Sequence, residues 1–407
     1  MPPIAAYSQS VGQFLLELSA GVLHKPQQRH LVWFVLALIL GRERHTLSGQ
    51  ARLWRYARVE SSIKRFLTQA PWDALALARR WQLRVLVRLT HLAADQPIEL
   101  IIDDTVCAKS GPHMEGRSRH YGDGRIQWGH CKVTLLVRCG ALKVPFAFRI
   151  YVTKAVAARA GLPFFTKLEL AQQMLAEFTP PAGRRVLMLF DSFYTSKALL
   201  RYLCHQRQWE LLARIESNRQ VGYRGRNCPV SSLVSCGGGP TQWGPLALDS
   251  HAYVGLRLKV TLWHGLPGAL ILACDPDQPA QVHFYITNRR DWSAGTAARL
   301  YQHRWYIETY HRDVKQLLGL AHYQLRSLVG LRRYWLLVDL AYSVLRVQTC
   351  SAEATAAGLT LGQLRRQAQQ QDERRRVDAV LEAWQRTGSR AEAYQAAGCA
   401  ASTTESA

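Results

Sequence analysis

Two apolar runs in this chain stop abruptly at carboxylates: IELIIDD (98–104) and RRVLMLFD (184–191). Each is short and rich in β-branched or large aliphatic residues, as a buried strand should be. Such strands need neighbours on their edges and cover on their faces, which points to a layered α/β architecture. The surrounding sequence supplies the parts. CKVTLLVRCG (131–140) and LKVPFAFRIYV (142–152) read as two further strands, close enough for a hairpin. PFFTKLELAQQMLAEF (163–178) has helical spacing and ends before Pro180 and Pro181. TSKALLRYLCHQRQ (195–208) reads as another helix and WELLARI (209–215) as a fifth strand. Three strands, a helix, a strand, a helix and a strand make a meander followed by crossovers.

The flanks have a different texture. Residues 1–95 read as a helical N-terminal domain, with SVGQFLLELSAGVL and RHLVWFVLALIL as apolar-rich helices. A basic turn at 44–65 has the size of a helix-turn-helix whose Arg52, Arg55, Arg58, Lys64 and Arg65 would face phosphate; an ordinary bundle with a basic surface fits equally well. The first part of the α/β core spans 96–215. Residues 216–290 break its alternation with the turn-rich SCGGGPTQWG and the strand-like YVGLRLKVTLW, GALILAC and VHFYITN, so they read as a β-rich insertion. The core resumes over 291–350 with a long helix from about Ser293 to Leu318. Residues 351–407 form a helical C-terminal region that ends in a disordered tail, CAASTTESA.

Charge narrows the choice of partner. The 407 residues carry 52 Lys and Arg against 29 Asp and Glu, a net charge of +23. Such an excess attracts polyanions at long range, nucleic acid first and an anionic membrane second. The membrane has little support, because LVWFVLALIL (31–40) is only half of the roughly twenty residues that a span needs. WLLVDLAYSVL (335–345) is interrupted by Asp339, and MPPIAAYSQS has neither the charged nor the apolar region of a secretory signal. Nine cysteines, scattered and without a C-x-x-C pair, suit a reducing cytoplasm and argue against structural zinc.

One helical stretch concentrates chemistry. In YQHRWYIETYHRDVKQ (301–316), Tyr301, Arg304, Glu308 and Lys315 follow steps of three, four and seven, so they share one helix face. Alone, this could be a solvated stripe with an i, i+4 ion pair of a few tenths of a kcal/mol. The aspartates change its meaning. Asp103, Asp104 and Asp191 sit where strands stop, the place where α/β proteins gather ligands and catalytic groups, although turn or capping roles suit the same position. Three converging carboxylates repel one another unless cations balance them, and hard oxygen donors select Mg²⁺ or Mn²⁺. Two such ions could serve phosphodiester transfer, with Arg304 and Lys315 holding backbone phosphates and Tyr301 hydrogen-bonding one.

The run Tyr301-x2-Arg304-x3-Glu308-x6-Lys315 resembles the Tyr-Arg-Glu-Lys signature of a branch of bacterial insertion-sequence transposases, which belong to the DDE superfamily with an RNase H-like core. IIDDT resembles that family's first-aspartate strand and LMLFDSFYTSKALL its second, over a resemblance that spans roughly residues 30–350. The resemblance implies an RNase H-like mixed sheet flanked by helices. It implies Asp191 and Glu308 as the second and third metal ligands, with the β-rich insertion between them. For the first ligand the family pattern of Asp followed by Thr selects Asp104, since Thr105 follows; Asp103 remains the alternative. Tyr301, Arg304 and Lys315 match phosphate-contacting positions, and Arg312 and Lys109 are further candidate DNA contacts. Ser192 follows the second aspartate where many members have Gly.

The implied activity is cut-and-paste transposition: two Mg²⁺ (or Mn²⁺) ions, cleavage of double-stranded DNA at the element's ends, and joining of the freed 3′-OH to target DNA. Homodimers or larger assemblies on DNA, close to a bacterial nucleoid, are expected with it. The rival readings are an RNase H-like nuclease that never joins strands, and a non-catalytic DNA-binding descendant of a transposase; RNA binding is a weaker one. Two features fit no assigned role. Trp243, Trp263 and Trp292 are each candidates for the insertion-domain Trp that related enzymes use to hold a flipped base. GPHMEGRSRHYGDGRIQWGH (111–130), with His113, His120 and His130 away from zinc spacing, reads as a basic loop beside the first aspartate, either touching DNA or simply mobile.

Overall fold

The computed structural model describes residues 6–42, 44–49, 59–122, 124–247, 252–348 and 358–396. Its centre is a sheet of strands β1 (Ile98–Ala108), β2 (Ser118–Gly122), β3 (Arg125–Cys139), β4 (Leu142–Tyr151), β5 (Val186–Phe190) and β6 (Glu210–Ile215). The order is β4-β3-β1-β5-β6, with β2 pairing the N-terminal part of β3. β1, β3 and β4 form an antiparallel meander, whereas β5 and β6 run parallel to β1. This is the expected RNase H-like arrangement, a mixed sheet whose parallel half requires helical crossovers. The chain makes them with α5 (Lys154–Arg159) and α6 (Lys167–Ala176) before β5, and α7 (Lys197–Arg201) before β6. Thr166 and Glu169 cap the start of α6 reciprocally, and Ser196 caps α7.

The segment after β6 adds strands β7 (Gln220–Tyr223), β8 (Arg226–Pro229), β9 (Gly244–Ala247), β10 (Ala252–Leu262), β11 (Leu266–Cys274) and β12 (His283–Thr287). β12 pairs antiparallel with β6, so the insertion prolongs the core sheet. The remaining helices lie at the two ends of the chain. α1 to α4 (Ala6–Ser19, Lys25–Leu40, Val59–Thr68 and Ala74–Thr90) come first. α8 (Ala294–Gln302), α9 (Trp305–Gln316), α10 (Leu328–Gln348), α11 (Leu361–Thr387) and α12 (Arg390–Ala396) follow the insertion.

α2 and α10 contain the two apolar runs that were too short to span a membrane. Each is buried against the other and against the rest of the core, which continues without a break from α1 to α11. No helix among the described residues is long and apolar enough to cross a membrane. Asp339, which interrupts the second run, is buried and receives Lys132 Nζ at 2.5 Å.

Three local expectations differ from the structure. The single helix expected over 293–318 is two, α8 and α9, separated at His303 and Arg304, whose side chains are both held by acids of β1. The expected loop 111–130 is partly a β-ribbon made of β2 and the start of β3, so it is neither all loop nor all mobile. The π-helical turn Tyr202–Gln206 continues α7, which is regular over a shorter range than expected. Arg52, Arg55 and Arg58 of the basic turn and the tail CAASTTESA lie outside the described residues. Lys64 and Arg65 are on α3.

Candidate active site

β1 and β5 pair in parallel with Ile101 beside Leu189. Extended two residues past the last pair, this register would set Asp103 level with Asp191, about 4.8 Å apart, and Asp191 is close enough to add to the burial that raises the Asp103 carboxyl. Alternation along β1 then sends neighbouring side chains to opposite faces. Asp104 faces α6 and the turn after β5: its carboxylate receives Lys167 Nζ at 2.6 Å, the Tyr194 hydroxyl at 2.9 Å and Cys131 Sγ at 3.3 Å. Asp103 faces α9, with its Oδ2 3.7 Å from Arg304. The sequence preferred Asp104 as first carboxylate on the residue that follows it. In the structure, Asp103 is the aspartate that shares a face with Arg304.

Arg304 ties the face together. Its guanidinium also donates to Glu308 one helical turn on, so one cation lies between a strand carboxylate and a helix carboxylate. Asp191 Oδ1 accepts the backbone amides of Phe193 and Tyr194, at 3.1 and 3.3 Å, which closes the turn after β5. The electrostatics are those of crowded acids. Burial, then Asp191 and Asp104, push the Asp103 carboxyl up to about 7, against the opposing pull of the Asp104 amide and Arg304. Asp191 is also raised, by burial first and by Asp104 among its neighbours. Among the described residues, no group of three or more His, Cys, Asp and Glu side chains is close enough to share an ion.

The other singled-out residues differ in how they are placed. Tyr301 is half-buried, packs its ring 4.5 Å from that of Tyr285 and points its hydroxyl at the Phe190 carbonyl, 3.4 Å away. Lys315 is half-buried in the last turn of α9, roughly 10 Å along the axis from Glu308, and Arg312 is exposed on the same helix. Lys109 turns inward. It donates to the carbonyls of Ala321 and Tyr323, at 2.5 and 2.6 Å, and stands over the Tyr323 ring. Burial lowers it to about 8, and it is a tether for the 321–323 segment in this structure. Trp243 and Trp292 are buried, whereas Trp263 lines a cleft of about 1160 Å³ in the insertion, with Lys197, Arg219, Arg224, Arg226, Lys259 and Arg290. Among the described residues, no carboxylate lines that cleft.

Two buried networks were not foreseen. Lys132 on β3 donates to the Tyr310 hydroxyl of α9 at 2.6 Å and to Asp339 of α10, fastening the Glu308 helix to sheet and bundle. Glu99 on β1 receives Arg138 at 2.6 Å and His303 at 2.8 Å, which fixes the junction just before Arg304. The sequence signal in each was a charge inside an apolar run: Lys132 in CKVTLLVRC and Asp339 in WLLVDLAYSVL for the first, Glu99 in IELIID for the second. Unpaired charge there is costly, so a partner had to exist.

A family model described as DDE superfamily endonuclease matches residues 17–257, more than half of the chain. The matched segment includes Asp103, Asp104 and Asp191 and ends before Glu308. None of the curated proteins matches the chain.

Proposed function

The chain belongs to the DDE superfamily of endonucleases, and on that premise we propose that it is a transposase, which cleaves double-stranded DNA at the ends of its element and joins the 3′-OH ends to target DNA. The observation that carries the reading is the neighbouring pair Asp103 and Asp191, faced by the Arg304–Glu308 pair of α9. We assign Asp103, Asp191 and Glu308 as the catalytic carboxylates. Asp103 replaces Asp104 in that role because Asp104 is already engaged by Lys167, Tyr194 and Cys131 on the opposite face.

Carboxylate donors suit hard divalent cations, Mg²⁺ or Mn²⁺, and sharing one would require Glu308 to leave Arg304 and close on the aspartates. On top of its burial, Asp103 is repelled by Asp191 and Asp104, and a bound cation would relieve that repulsion. When bound, two such ions supply a nucleophile at neutral pH and stabilise the charge that develops on the phosphate. The chain's own groups do the rest. Asp103 and Asp191, fixed by the sheet, and Glu308, on an anchored helix, hold the reacting phosphate's surroundings in one geometry. Arg304 sits where a backbone phosphate would compete for it, so DNA binding would free Glu308 from its ion pair. Lys315 and Arg312 on α9, and the cationic cleft beside α7, extend the phosphate-binding surface in both directions.

Joining of strands separates a transposase from a simple nuclease of the same superfamily. The experiment uses DNA ending in the sequences that flank the gene, with a free 3′-OH, mixed with a supercoiled plasmid and Mg²⁺. Covalent end-plasmid products support transposition. Cleavage without any such product supports the nuclease instead.

A further inference from the structure

The ribbon of β2 and the start of β3 has one packed face and one bare one. On the packed face, His120 lies against the Tyr151 ring at 5.8 Å and bonds Ser118 Oγ at 2.9 Å. Gly122 lies so near β1 that a Cβ there would sit 2.9 Å from Val106. The bare face carries the cross-strand pairs Arg119–Trp128 and Tyr121–Ile126. Tyr121 is 71% exposed, Ile126 61% and Trp128 47%, an unusual concentration of apolar surface for the rim of a soluble protein.

Charge and placement narrow the occupant. The segment from Arg117 to Gly129 holds three arginines and one acid. Arg117 is pinned through Nε to the Lys109 carbonyl at 2.9 Å, and its guanidinium backs one face of the Trp128 ring at 4.5 Å. Trp128 is thus held as a stiff platform, with cations around it. Register fixes its direction: Asp103 pairs with Thr134, and alternation puts the even-numbered residues of β3, Trp128 and Ile126 among them, on the Asp103 face. Trp128 lies six residues from Thr134, roughly 20 Å along the strand. That is several nucleotides from the reacting carboxylates.

From this geometry we infer that the ribbon is a stacking arm for unpaired bases of the DNA strand beside the cleavage site. An apolar, aromatic face is a poor match for the polar base edges in a duplex groove, but it suits the faces of bases that have left the stack. The arginines provide the phosphate contacts that such a strand needs. The inference rests on the proposed DNA cleavage and specifies what lies beyond the cut.

The test compares two labelled DNA duplexes of equal length, one fully paired and one with a mismatched stretch near its end. The wild type is expected to bind the mismatched DNA about tenfold more tightly, the size of one stacking contact. Trp128→Ala and Tyr121→Ala should collapse that ratio, Trp128→Phe should keep most of it, and each variant's melting temperature is measured alongside. Equal affinity of the wild type for both DNAs overturns the inference without recourse to any variant. So does an unchanged ratio in Trp128→Ala, whether or not that variant alters the oligomeric state on size exclusion, as it would if a second copy covered the ribbon. Metal-dependent cleavage of the paired duplex is followed in the same preparation. Cleavage without a mismatch preference rejects the arm and leaves the proposed activity; preference without cleavage rejects the activity and, with it, the arm's place beside a cut, leaving only its hold on unpaired bases; no binding of either DNA rejects both.

Discussion

Asp103 and Asp191 are neighbours because β1 and β5 pair in parallel with Ile101 beside Leu189. The ladder brings the Asp103 stretch of β1 to the end of β5, and Asp191, just past β5, is held in the turn that follows by the Phe193 and Tyr194 amides. Asp104, one residue on, is turned by the same strand to the other face, where Lys167 neutralises it at 2.6 Å. A shift of one residue in this register would exchange their environments.

Arg304 is the cation shared by Asp103 and Glu308. Arg304→Ala should lower the DNA cleavage rate by about a hundredfold, the scale of losing one well-placed charge donor. Arg304→Lys should recover little, since a single ammonium cannot copy the guanidinium fork. Rates measured at saturating DNA check this; near-normal turnover in Arg304→Ala would refute the role.

Lys132 and Asp339 form a buried pair with Tyr310. Lys132→Met strands a buried carboxylate and should cost about 3–5 kcal/mol of stability, whereas Lys132→Met with Asp339→Leu should recover much of it. Denaturant midpoints of the three proteins decide the matter. A double variant no more stable than the single one would show that the pair does not act as a unit.

Two buried histidines should make stability fall on acidification, against the opposite pull of Asp103, whose carboxyl is raised to about 7. Burial, together with Arg365, lowers His45 to about 4, and burial lowers His311 well below its usual value of 6.5. Their folded values are depressed, so the unfolded chain binds more protons in this range. The stability these neutral rings contribute is fully present above about pH 6.5 and is lost as pH drops from there toward 4. Thermal melts across that window should show the decline, and His45→Gln should flatten it.

The cationic cleft of the insertion should show in the salt dependence of DNA binding. Removing Arg219 or Lys259 should each reduce the slope of log affinity against log salt by about 1, with little change in sequence preference. Slopes identical to the wild type would place the DNA elsewhere.

Much of this was legible in the chain. The strands around Asp103 and Asp191 announced themselves by apolar runs with abrupt ends, and Arg304, Glu308 and Lys315 at the start of and along α9 by their spacing. Less visible was which aspartate faces which way. Parity within a strand buried on both faces leaves no polar alternation to read, and the pairing partner, β5, lies some eighty residues away. The ribbon was misread for a related reason. Its glycines suggested a loop, yet Gly129 is required because a Cβ would meet the Cys107 carbonyl at 2.2 Å, and Gly124 supplies a left-handed turn at φ +75°. The break between α8 and α9 was hidden because His303 and Arg304 keep helical dihedrals, and only their side chains, drawn to Glu99 and Asp103, mark the place.

The most direct test compares Asp103→Asn, Asp104→Asn and Glu308→Gln for Mg²⁺-dependent nicking of double-stranded DNA, with a chelator control. Asp103→Asn and Glu308→Gln should lose cleavage by roughly a hundredfold or more, while Asp104→Asn, a carboxylate engaged by Lys167, Tyr194 and Cys131 rather than by Arg304, should lose less. Full loss in Asp104→Asn with cleavage retained in Asp103→Asn would contradict the assignment of the Arg304 face as the catalytic one.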